Sequence, residues 1–218
     1  MNSPQDIAVQ TRANRYTVPH GTEEYEHLLE IKRSEFIGHI KRVSSQDEAR
    51  DYIESLRKTY HDARHVCSAF VVGADRDVQR SSDDGEPAGT AGIPMLQALL
   101  ARQSRSDGTT DLSDTVAVVV RYFGGTLLGV PGLIHAYKTA TQIALQQTAQ
   151  VEKNIEKWVT LRCDYPHLSE VLRLAKQHGA EVLQQDLQLD CRLHCAVPLA
   201  NYAACIDAWQ KTRAVEIL

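Results

Sequence analysis

The sequence predicts an α+β protein of two domains, on three observations. Val116 to Val120 is wholly apolar and reads as a buried strand. Segments of alternating polarity are interleaved with segments whose apolar residues recur at helical spacing. Beyond a polar connector at Val151 to Asn154, the pattern settles into β-α-β-β-α-β.

Residues 1–20 are polar and read as a flexible lead-in, followed by one domain over 21–150 and a smaller one over 151–218. In the first domain, Tyr25 to Lys32 and Phe36 to Val43 suggest two strands. Ser45-x-x-Glu48 is a capping-box pattern that opens a helix to about Tyr60, with Ala49, Tyr52, Ile53 and Leu56 on one face. Val66 to Gly73 is a strand, with Asp77 to Arg80 as its hairpin partner. A helix follows around Met95 to Ala101. Gln103 to Ser113 is polar and reads as an exposed loop. Thr115 to Tyr122 is a buried strand, and Leu133 to Gln147 a helix. Periodicity here supports a sheet with helices on one face. In the second domain, Glu156 to Tyr165 alternates Val159, Leu161 and Cys163 against Trp158, Thr160 and Arg162. Leu168 to His178 is a helix closed by Gly179. Strands at Ala180 to Leu187 and Leu189 to Val197, a helix at Leu199 to Lys211 and a strand at Ala214 to Leu218 complete the ferredoxin-like split β-α-β plan.

Bulk properties narrow the function classes. Of 218 residues, 43% are hydrophobic and 24% charged, which is ordinary for a soluble globular chain. The net charge of −4 lacks the basic excess of a strong nonspecific nucleic-acid binder, so any nucleic-acid site must be a local patch. The five cysteines form no CxxC pair and read as reduced, buried thiols. Met1 to Arg15 has no apolar signal core, and Val116 to Val120 is far too short to cross a bilayer. A cytoplasmic location with no membrane partner is the expectation.

Two loops carry the chemistry. Ser82 to Pro94 packs three carboxylates and three glycines into a bent loop that runs into a helix. Arg121-Tyr122-Phe123-Gly124-Gly125 follows the apolar strand and also leads into a helix. Helix N-termini suit anions, so both loops read as candidate binding loops as well as tight turns. They should lie side by side and line one concave site with Arg64 and His65. Asp62-Ala63-Arg64-His65-Val66-Cys67 and the basic Ile31-Lys32-Arg33-Ser34-Glu35 precede them.

These motifs resemble the IMPACT family, in particular its YigZ-like bacterial branch. The resemblance implies a first domain with the fold of a small-subunit ribosomal protein domain and of elongation factor G domain IV, including a left-handed β-α-β crossover. It implies a second domain like elongation factor G domain V. It also implies a role linked to translation. Pro131 and His135 stand where family members usually carry a glycine and a basic residue. Lys138, one turn further on, supplies a cation.

Other chemistries have weaker support. His61, Asp62, His65, Asp83, Asp84 and Glu86 offer metal-ligand types, without an HExxH or a second His cluster. His65 and Cys67 share a strand face as a conceivable nucleophile pair, with no orienting third group. No Gx4GK[ST], GxGxxG or GxSxG pattern occurs. Arg121 and Tyr122 read equally as stacking groups or structural ones. Phe123 reads as a core residue, and the structural reading of Arg121 pairs it with a carboxylate such as Asp83 or Asp84.

The resulting expectation is a non-enzymatic regulator associated with translation. It would bind RNA, ribosomal components or a translation-regulating protein, with no sequence-specific DNA binding. A metal-dependent hydrolase or nuclease using Asp83, Asp84 and Glu86 is the alternative, and a pure protein-binding module the second. The binding candidates are Arg64, His65, Asp83, Asp84, Gly85, Glu86, Thr90, Arg121, Tyr122, Gly124, Gly125 and Lys138. No catalytic residue, metal ligand or cofactor is assigned.

Overall fold

A computed structural model describes residues 14–21 and 24–218. Its chain is mixed α and β and divides into two compact units, one from Tyr16 to Lys153 and one built on Asn154 to Leu218.

The first unit holds a five-stranded sheet in the order β2-β3-β6-β4-β5. Its strands are β2 (Tyr25–Ile31), β3 (Ser34–Arg42), β4 (His65–Val72), β5 (Val78–Ser82) and β6 (Thr115–Tyr122), and every neighbouring pair is antiparallel. β3 and β4 flank β6 and therefore run in the same direction. Helix α1 (Gln46–Thr59) carries the chain from one to the other. The Ser45 hydroxyl accepts from the Glu48 N–H at 3.1 Å. The Glu48 carboxylate reaches back to the Ser44 N–H at 2.7 Å, one residue earlier than a strict capping box requires.

Helices cover both faces of this sheet, contrary to the one-face expectation. Val116, Val118 and Val120 point toward Ala49, Tyr52 and Leu56 of α1. Ala117 and Val119 point the other way, toward α2 (Gly92–Leu100) and α3 (Gly129–Gln147), with Met95, Leu99, Leu133 and Tyr137. A strand apolar at both parities is one buried on both faces. Gly38 of β3 permits the close seat of α3, because a Cβ there would lie 3.0 Å from the Ala140 carbonyl oxygen.

Two expectations about the chain's joints need correction. Arg15–Pro19, assigned to the lead-in, is strand β1, and Tyr16 and Val18 are buried. Residues 1–13 of that segment lie outside the described ones. The polar connector at Val151 to Asn154 belongs to strand β7 (Gln150–Asn154), which pairs with β1 in a two-stranded sheet. A polar stretch can serve as a strand when it lies at the surface, and periodicity alone does not reveal this.

In the second unit the order β8 (Glu156–Cys163), α4 (Tyr165–Gln177), β9 (Glu181–Leu187), β10 (Cys191–Pro198), α5 (Tyr202–Lys211) and β11 (Val215–Ile217) gives an antiparallel sheet β11-β8-β10-β9. Val159, Leu161 and Leu193 pack with Val171 and Leu174 of α4 and Trp209 of α5. Gly179, with φ of +69°, closes α4.

One buried polar cluster ties the first unit's periphery to its sheet. Asp114, with φ of +50°, accepts from the Tyr16 hydroxyl at 2.6 Å, the Gly73 N–H at 3.0 Å and the Lys153 ammonium at 3.0 Å. Burial, and then the Asp114 carboxylate, pushes the Tyr16 hydroxyl up to about 12. Asp114→Ala strands these partners and strains the left-handed backbone. It should cost about 3 kcal/mol in urea unfolding. Asp114→Asn tolerates that backbone and should cost less.

Candidate functional site

The two glycine loops meet at a buried carboxylate. Glu86, 8% exposed, accepts from Arg121 Nη1 at 2.6 Å and from the Tyr137 hydroxyl at 2.7 Å through the same Oε1. Arg121 is the penultimate residue of β6, Glu86 lies in the acidic loop, and Tyr137 comes from the buried face of α3. Arg121 therefore pairs with a carboxylate of the acidic loop, and that carboxylate is Glu86. Tyr137 escaped the sequence reading, although its helical spacing from Leu133 and Ala140 marked that face as inward.

Asp83 and Asp84 are also turned into the protein. Asp83 accepts from the backbone N–H of Gly89 at 2.8 Å, Ala91 at 3.0 Å and Gly92 at 2.8 Å. Burial alone would raise its carboxyl, but these three donors outweigh it and hold the group below the usual carboxylate range. The start of α2, which suited an external anion, is thus occupied by an internal one. Asp84 accepts from the Val66 N–H and from Arg57 Nη1, each at 2.7 Å. Arg57 sits in the last turn of α1, and its pairing across 27 residues left no sequence signal.

Other candidates fall into structural roles. Thr90 is buried and donates to the Pro87 carbonyl at 2.7 Å. Gly85, with φ of +85°, brings the loop against the His65 ring. The His65 ring meets the Asp84 carbonyl oxygen at 2.8 Å through Nδ1, which must therefore carry the proton. Cys67 is buried and donates to the Asp83 carbonyl at 3.0 Å. Burial pushes its thiol up to about 12, so it holds no thiolate near neutral pH for a Cys-His pair.

At the other loop, a two-residue turn, Lys32-Arg33, joins β2 to β3 with φ of +49° and +65°. That conformation usually calls for Asn or Gly. Gly124 seats against the turn, donating from its N–H to Ser34 Oγ at 3.1 Å. A Cβ on Gly124 would lie 2.0 Å from the Arg33 carbonyl carbon and oxygen. Gly125, with φ of +87°, faces open space.

Arg121 and Tyr122 project from opposite faces of β6, so they do not form one stacking cluster. The Tyr122 hydroxyl donates to Asp62 at 2.7 Å, and that bond, ahead of desolvation, pushes it up to about 12. Phe123, expected in the core, is 51% exposed. It lines a cavity of about 180 Å³ with Arg64, His65, Arg121 and Leu127. Lys138 is exposed on α3 and does not line it. Among the described residues, no group of three or more His, Cys, Asp or Glu could hold a metal ion.

Two substitutions test how the loops are held. Asp83→Asn should cost about 2 kcal/mol at neutral pH, because one amide cannot serve three donors. Since the folded Asp83 carboxyl lies below its unfolded value, its contribution is full above about pH 4 and fades as the pH falls further. The gap between wild type and variant in urea unfolding should therefore narrow below about pH 4. Gly124→Ala should lower the melting temperature by several degrees, whereas Lys32→Gly, which relaxes a left-handed residue, should leave it unchanged or raise it.

Comparison with known proteins agrees with these motifs. A family model described as the Impact N-terminal domain matches residues 32–145. IMPACT family member YvyE of Bacillus subtilis (strain 168) is 41% identical over 149 residues, covering 68% of this chain and 65% of that protein, just under two thirds of its length. IMPACT family member YigZ of Escherichia coli (strain K12) is 39% identical over 176 residues, covering 80% of this chain and 82% of that one. A solved structure described only as a hypothetical protein superposes with a TM-score of 0.74 at 34% identity, over 94% of this chain and 97% of that one. With a family model spanning more than half of its length and curated relatives covering most of it, this chain belongs to the IMPACT family.

Proposed function

We propose that this protein is a non-catalytic, cytoplasmic binding protein associated with translation, and that its first unit engages RNA. One observation carries the reading. Each carboxylate of the acidic loop is already committed, Asp83 to backbone donors, Asp84 to Arg57 and Val66, and Glu86 to Arg121 and Tyr137. The nearby cavity is lined by Arg64, His65, Phe123 and Leu127, and by Arg121, which Glu86 holds through Nη1. Such a mixture of cations and an aromatic suits single-stranded nucleic acid. The Lys32-Arg33 turn, held against Gly124, adds exposed cations beside the same loop. The local patch thus runs against the net charge of −4.

A metal-dependent hydrolase would need Asp83, Asp84 and Glu86 to leave these partners, so the geometry favours binding over that chemistry. The family resemblance supplies the link to translation and the proposed folds, a ribosomal-protein and elongation factor G domain IV type for the first unit and a split β-α-β type for the second. Leu127, Val130 and Ile134, exposed by 83%, 51% and 37%, favour a protein partner as the second reading.

Titration of labelled single-stranded and hairpin RNA at two salt concentrations tests the proposal. Affinity should be about micromolar at physiological salt and should rise as salt is lowered. Replacing Lys32 and Arg33 with Gln should reduce the salt slope by about one unit for each phosphate deprived of its cation. Absence of binding even at low salt would sink the RNA reading and leave the protein partner.

A further inference from the structure

Arg121 is 7% exposed, and its Nε is buried without a hydrogen-bond partner among the described residues. A guanidinium N–H hidden in this way costs free energy unless a ligand accepts from it. Glu86 occupies Nη1 of the same group, so the orphaned Nε is a second, separate donor. Arg121 lines the cavity described above together with Arg64, an exposed cation, and His65. No carboxylate is among the lining residues.

The apolar side of the cavity has its own geometry. The Arg121 guanidinium lies 5.5 Å from the ring centre of Phe36 and 5.6 Å from that of Phe123. Phe36 is fully buried, whereas Phe123 is half-exposed. The guanidinium thus lies beside two rings, of which Phe123 also lines the cavity. At about 180 Å³, the cavity is below the roughly 300 Å³ at which pockets enclose a whole small ligand. It fits one group of a larger molecule.

We propose that this cavity takes one phosphate group of a single-stranded RNA, at Arg64 and the Arg121 guanidinium, with the unpaired base of the same nucleotide lying outside it against the exposed face of Phe123. The proposal rests on the RNA-binding reading above and names where the strand is gripped. An acidic peptide could satisfy the cations but would leave the Phe123 ring without a flat partner.

The full chain and two surface variants, Phe123→Ala and Arg64→Ala, test this with a labelled decauridylate. Both side chains are exposed, so both variants should fold as the wild type does. Phe123→Ala should weaken binding by roughly five- to fifty-fold with an unchanged salt slope, as expected for removal of one stacked base. Arg64→Ala should lower the salt slope by about one unit. A duplex of the same length should be insensitive to Phe123→Ala. In nitrogen-15 spectra, the Arg121 Nε–H resonance should move on addition of the decamer. Binding that survives Phe123→Ala unchanged, or competition by polyglutamate as strong as by unlabelled decamer, overturns the nucleotide pocket while leaving the RNA reading intact. Failure of the wild type to bind the decamer or any hairpin at low salt overturns both.

Discussion

The Glu86 carboxylate is the point on which the arrangement of the first unit's two glycine loops depends. A carboxylate taken out of water costs several kcal/mol unless a cation and hydrogen bonds replace its hydration. Here one oxygen receives both, from the end of β6 and from the middle of α3. Neither element is adjacent in sequence to the acidic loop, so satisfying one charge fixes the relative position of three segments. The energetic weight of such a pair lies in the cost of breaking it, since removing Arg121 would leave an uncompensated anion in a dry site. Replacing all three groups with apolar ones could preserve stability, but the orientation of the loop would then be unspecified.

The acidic loop consequently works as scaffold. Its carboxylates cap α2, anchor the start of β4 and hold Arg121. Asp84 is paired with Arg57, Glu86 with Arg121, and Asp83 is held by backbone donors. The two glycine loops also need glycine at particular places. Gly92 lies against the Ser82 backbone, where a Cβ would approach to 2.7 Å, and Gly124 lies against the hairpin turn.

Much of the fold was legible in the sequence, because local pattern and tertiary burial agree there. Thr115–Tyr122 is a strand with the bounds that its apolar run suggested, and Ser45 caps α1. The second unit follows the β-α-β-β-α-β order that its alternation implied. Val116 to Val120 is apolar at both parities, which is the pattern of a strand covered on both faces rather than one. Within the site, the proximity of the two loops was legible from their glycine density. The partners were not. Arg57 to Asp84 and Tyr137 to Glu86 are long-range choices that periodicity does not encode. Phe123 misled because hydrophobicity alone assigns a phenylalanine to the core, whereas β6 ends at Tyr122 and strand alternation no longer governs the next residue.

The distribution of thiols has a practical consequence. All five cysteines are buried, Cys67 in the first unit and Cys163, Cys191, Cys195 and Cys205 in the second. Burial pushes Cys163, Cys195 and Cys205 up to about 11 as well, so alkylating reagents meet inert, hidden sulfurs in the native protein. The mass added during brief exposure to such a reagent becomes a stopwatch with two hands. An adduct mapped to Cys67 marks an opening of the first unit and adducts mapped to the other four mark an opening of the second, which lets the breathing of each be timed.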